Sequence, residues 1–86
     1  MSHEYDAATV ADAQAAVRTL YSFRRDLADT GTLDVFLSEA REIASEARAE
    51  GRKISAEDWV YLAGLADDVC DDDALPRLFR PRRVAA

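Results

Sequence analysis

The stretch GRKISAEDW, residues 51–59, decides the fold, because it ends one helix and begins another within a few residues. Ser55 stands where an N-cap is needed, and its hydroxyl can accept from a backbone N–H in the first turn. Asp58 at N3 makes a variant of the capping box with Asp in place of Glu, while Ile54 and Trp59 hold the two ends of a hydrophobic staple. Glu57 and Asp58 also suit the positive end of the helix dipole. The helix that follows is expected over about 56–70, with Trp59, Leu62, Ala63, Ala66, Val69 and Cys70 on one face. Val60, Tyr61 and Leu65 add a second apolar flank, so this helix is expected to be central, with something covering that flank.

Upstream, Gly51 suits a left-handed C-terminal cap. Before it, Leu33, Phe36, Leu37, Ala40, Ile43, Ala44 and Ala47 recur at three- and four-residue steps, which predicts a helix over about 33–50 capped by Thr32. Ala40, Ala44 and Ala47 are small enough to let a neighbouring helix approach towards the short end of the usual 8–10 Å, roughly, between axes. Earlier still, Val10, Ala13, Val17, Leu20, Tyr21, Leu27 and Ala28 form an apolar stripe opposite Asp12, Thr19, Ser22, Asp26 and Asp29. That pattern predicts a helix over about 8–29, starting near Asp6 or Thr9 and stopping before Gly31 in a left-handed cap.

Downstream, DDDALPRLFRP (71–81) offers Asp72 or Asp73 as the cap of a short fourth helix over about 74–79, with Pro76 tolerated in its first turn. Leu75, Leu78 and Phe79 would then lie against the second flank of the third helix. No segment sustains a period of two, so no sheet is expected. The reading is all-α: one domain, residues 1–86, a small antiparallel bundle of three main helices plus a short C-terminal fourth. Residues 1–6 are expected to be a flexible leader and 81–86 a flexible basic tail.

Composition agrees. The chain has 86 residues, 49% of them hydrophobic, with three Gly and two Pro, and 17 Ala that favour helix. Its formal charge of −6 is unevenly distributed. Residues 1–75 hold all 17 acids and seven bases, or −10; residues 76–86 hold four arginines and no acid, or +4. An acidic body disfavours direct binding of DNA, RNA or an anionic membrane by that body. Cys70 is the single cysteine, so a disulfide-stapled scaffold is excluded. MSHEYDAATVADAQ has neither a basic nor an apolar targeting region, and no apolar run reaches membrane-spanning length, so a cytoplasmic protein is expected.

No catalytic set can be assembled. His3 is the one histidine and has no partner at ligand spacing, and the aspartates around Cys70 disfavour its thiolate. No phosphate loop or zinc pattern is present, so neither an enzyme nor a cofactor is expected. Asp67, Asp68, Asp71, Asp72 and Asp73 form an acidic cluster in which 67/71 and 68/72 share a helix side. The alternating acids and mid-loop Gly of an EF-hand are absent, and no metal site is assigned. The helix, turn and helix around residues 51–55 have the outline of a helix-turn-helix. Its recognition helix would begin Ala56, Glu57, Asp58, Trp59, and carboxylates there would repel phosphate.

The remaining signal is SEAREIASEARAEG (38–51), which spells SEAR twice, seven residues apart. Glu39, Glu42, Glu46 and Glu50 step by three, four and four into one acidic ridge, while Arg41 and Arg48 fall on another. Like charges at i, i+4 cost about 0.2–0.5 kcal/mol each, where interleaved signs would have been favourable. Three explanations compete: pairing with Arg18, Arg24 or Arg25 of the same fold, neutral drift, or a binding face for a basic partner. In size, charge and architecture the chain is similar to small acidic helical inhibitors of phages and mobile elements, the anti-CRISPR proteins and other DNA mimics. No family motif is shared, so no residues carry over.

The expected function is a non-enzymatic acidic protein that binds a basic protein site, one that binds nucleic acid among the candidates. The proposed contacts are Glu39, Glu42, Glu46 and Glu50 with Asp67, Asp68, Asp71, Asp72 and Asp73. The alternative is a small structural subunit, homodimeric or heteromeric, associating through Val60, Tyr61, Leu65, Leu78 and Phe79.

Overall fold

The structure, a computed structural model, describes residues 5–27, 30–72 and 75. Among them it is all-helical, with α1 (Ala7–Ser22), a 3-10 turn (Arg24–Asp26), α2 (Gly31–Ala49) and α3 (Ala56–Asp72). The fourth helix expected over 74–79 falls outside the described residues except for Leu75, as do the leader before Tyr5 and the basic tail.

Each start is fixed by a side-chain cap. Asp6 accepts from the backbone N–H of Thr9 at 2.7 Å and begins α1. Ser55 accepts from Asp58 N–H at 3.2 Å and begins α3. The reciprocal bond of a capping box, from Ser55 N–H to the Asp58 carboxylate, is not made; Asp is one methylene shorter than the usual Glu. The staple residues Ile54 and Trp59 pack against the core together.

The cap of α2 differs from expectation. Thr30, not Thr32, is the N-cap, its hydroxyl accepting from Leu33 N–H at 3.3 Å. Thr32 instead donates to the Asp72 carboxylate at 2.6 Å, and Thr30 lies 3.0 Å from Thr32. Since the Thr32 proton is committed to Asp72, Thr30 must donate to Thr32. The two hydroxyls and the carboxylate thus form a relay that ties the start of α2 to the end of α3, which makes this pair antiparallel.

The end of α2 follows the sequence. Gly51 has φ 66°, Gly51 N–H donates to Arg48 C=O at 3.1 Å, and Arg52 N–H donates to Ala47 C=O at 2.9 Å. These are the two bonds of a Schellman motif, closed by the residue type that tolerates a left-handed backbone.

Helix α1 ends at Ser22, well short of 29. The stripe through Leu20 calls for an apolar residue at position 24, and Arg24 stands there. The last carbonyls find side-chain donors instead: Ser22 Oγ donates to Thr19 C=O and the Arg24 guanidinium to Tyr21 C=O, both at 2.8 Å. Leu27 then turns in to pack on the core from extended backbone. Gly31 opens α2 rather than capping α1, and has no positive φ.

Helix α3 packs extensively on both α1 and α2, which have few contacts with each other. Its central position agrees with its two apolar flanks. Phe36, Leu20, Leu62, Val69 and Cys70 are the largest fully buried side chains. Alanines permit the close contacts, chiefly Ala13 and Ala16 of α1 and Ala63 and Ala66 of α3, all buried. Of the three α2 alanines expected to seat a neighbour, only Ala47 is buried; Ala40 and Ala44 line a cleft of about 220 Å³ between α1 and α2. Leu75 also departs from expectation. It donates its N–H to Cys70 C=O at 2.8 Å and lines one hollow with Leu20, Phe23 and Leu27, on the α1 side rather than over Tyr61 and Leu65.

Candidate functional site

Helix geometry places Glu39, Glu42, Glu46 and Glu50 on one flank of α2, about 90° around the helix from the buried Phe36, Ile43 and Ala47. Glu42, Glu46 and Glu50 are exposed and Glu39 is half-buried. The ridge is not wholly unpaired: Glu50 accepts from Arg52 Nε at 2.6 Å. The left-handed turn at Gly51 brings that guanidinium back beside the last turn, which helical spacing alone does not reveal. The Glu50 hydrogen bond, followed by the fields of Glu50, Asp58 and Glu46, holds Arg52 above its ordinary pKa.

Glu39, Glu42 and Glu46 form no ion pair among the described residues. Two of the three arginines named as candidate partners within the fold are engaged elsewhere. The Arg18 guanidinium lies over the Trp59 ring, 5.8 Å from its centroid, and Arg24 over Tyr21 at 4.2 Å. Each such contact contributes about 0.5–1 kcal/mol at an exposed site.

The aspartate cluster divides between two stripes of α3. Asp68 and Asp72 continue the line of Tyr61 and Leu65, at i, i+4, i+7 and i+11. Asp67 and Asp71 lie about 100° around the helix and have partners of their own. Asp73 lies outside the described residues. No three His, Cys, Asp or Glu side chains gather as they would around a metal ion among the described residues. No described helix is long and apolar enough to cross a membrane.

On α2, Val35 begins the stripe that continues through Glu39, Glu42 and Glu46, again at i, i+4, i+7 and i+11. The two stripes flank one groove: Gly31, Thr32 and Val35 of α2 face Leu65 and Asp68 of α3 around a hollow of about 140 Å³. The Thr32–Asp72 bond closes one end. Counting along the antiparallel pair from the Thr32–Asp72 bond, Glu39 comes level with Leu65 and Glu42 with the turn of α3 that carries Tyr61. Sequence reasoning did not single out Val35, although its place four residues before Glu39 marks it as part of the ridge.

Compared with known proteins, the chain matches no family model, no curated protein and no solved structure.

Proposed function

We propose that the chain is a non-enzymatic interaction protein whose acidic α2 ridge engages a basic site on another protein, and that this site is one that normally holds nucleic acid. The observation that carries the reading is the state of Glu39, Glu42 and Glu46. They have no ion pair among the described residues, while Arg18 and Arg24 are occupied on aromatic rings. Negative charges about 5–6 Å apart in a line attract lysines and arginines much as a phosphate backbone does. In this role the chain is an inhibitor that occupies a nucleic-acid groove.

The test compares the wild type with a Glu39→Gln, Glu42→Gln, Glu46→Gln variant as bait, with duplex DNA as competitor. The wild type should retain a partner that duplex DNA elutes, with affinity falling at least about tenfold from low to high ionic strength, and the triple variant should lose it. Equal capture by both baits overturns the reading.

A further inference from the structure

We propose that the α2–α3 groove takes a basic amphipathic helix of the partner protein. The inference rests on the acidic-ridge reading and specifies what the ridge binds. Val35 and Tyr61 are 49% and 48% exposed, and Leu65 between them is only partly covered. Carboxylates continue both helix lines beside these apolar residues, Glu39 and Glu42 after Val35 on α2 and Asp68 after Leu65 on α3. A nucleic acid is excluded by the charge. A flat basic surface would neutralise the carboxylates but leave Val35 and Tyr61 in water. An uncharged apolar segment would cover the strip and leave the carboxylates desolvated without cations. A helix with an apolar stripe bordered by Lys and Arg satisfies both, and helix-in-groove docking presents such anchors at i, i+3, i+4 and i+7. The groove between two antiparallel helices is also the seat another helix occupies in a bundle. A segment of about 18 residues, some 27 Å long, matches the length of α2.

The probe is an 18-residue Leu/Lys peptide with its leucines at helical period, beside a permuted peptide of the same composition whose leucines fall on no single face. Both are titrated into the full chain, a Val35→Ser, Tyr61→Ser variant, and a Glu39→Gln, Glu42→Gln, Asp68→Asn variant, with helicity checked by circular dichroism. The patterned peptide should bind the wild type at least about tenfold more tightly than the permuted one, and each variant should lose about tenfold for it. Amide shifts on binding should centre on Val35, Leu65 and Tyr61. If both peptides bind alike and only the carboxylate variant weakens them, the groove assignment is overturned while the acidic ridge stands. If neither variant changes binding, or the patterned peptide does not bind, the groove assignment is overturned as well, and indifference to the carboxylate variant counts against the ridge too.

Discussion

Gly51 and Gly64 show how far a residue's meaning depends on its backbone. An added Cβ would meet nothing within 4 Å at either. Yet Gly51 sits at φ 66° in the turn that closes α2, whereas Gly64 lies in the middle of α3. Gly51→Ala should therefore destabilise the fold by about 1 kcal/mol, because an L side chain is strained in the left-handed region. Gly64→Ala should stabilise it by about 0.5–1 kcal/mol, by removing backbone freedom from the unfolded chain and raising helix propensity. Urea midpoints at constant m-value measure both, and shifts of the same sign would contradict the backbone argument. Ser55→Ala should cost about 1 kcal/mol through the lost cap. Both the Gly51 stop and the Ser55 start were legible in the sequence, because capping is a local matter of one side chain and its nearest backbone donors or acceptors.

At the scale of the element, α2 carries an arrangement of charge that stability alone does not favour. Glu42 faces Glu39 at i−3 and Glu46 at i+4. Glu42→Lys turns two repulsive spacings into attractive ones and should raise stability by about 0.5–1 kcal/mol, read from the thermal or urea midpoint. The same change should weaken the proposed complex. A substitution that stabilises the free domain and weakens binding is the expected signature of a surface kept for a partner. If Glu42→Lys leaves binding unchanged, Glu42 is not part of the contact. Element ends were read less well than element faces. The stripe of α1 was visible from Val10 to Leu20, but the span to residue 29 carried a helical period across Arg24, whose side chain instead serves the carbonyl of Tyr21. Likewise Thr30 and Thr32 are equally good caps locally, and only the carboxylate of Asp72, forty residues away, draws Thr32 to another task.

For the whole molecule, stability is concentrated in the side chains that α3 brings together. A domain of this length is stable by roughly 4–13 kcal/mol, at about 0.05–0.15 kcal/mol per residue. Phe36 is fully buried at its centre, so Phe36→Ala should cost about 3–5 kcal/mol and leave the chain close to unfolding at 37 °C, measured by denaturant titration. The proposed binding surface depends on the same packing in a different way. Its acidic half lay open to reading along α2, since Glu39, Glu42 and Glu46 share one face by helical spacing. The apolar strip between Val35 and Leu65 exists only because two helices meet there.

The sequence by itself determined the all-helical class, the three principal helices, the capping signals at Gly51 and Ser55, and the line of glutamates. All of these follow from interactions within a turn or two of chain. Only the tertiary structure decided that Arg18 lies on Trp59, that Thr32 reaches Asp72, and that Leu75 turns towards α1. Those outcomes depend on which helices become neighbours and in what register, and side chains distant in sequence compete for the same partners only after the core has closed.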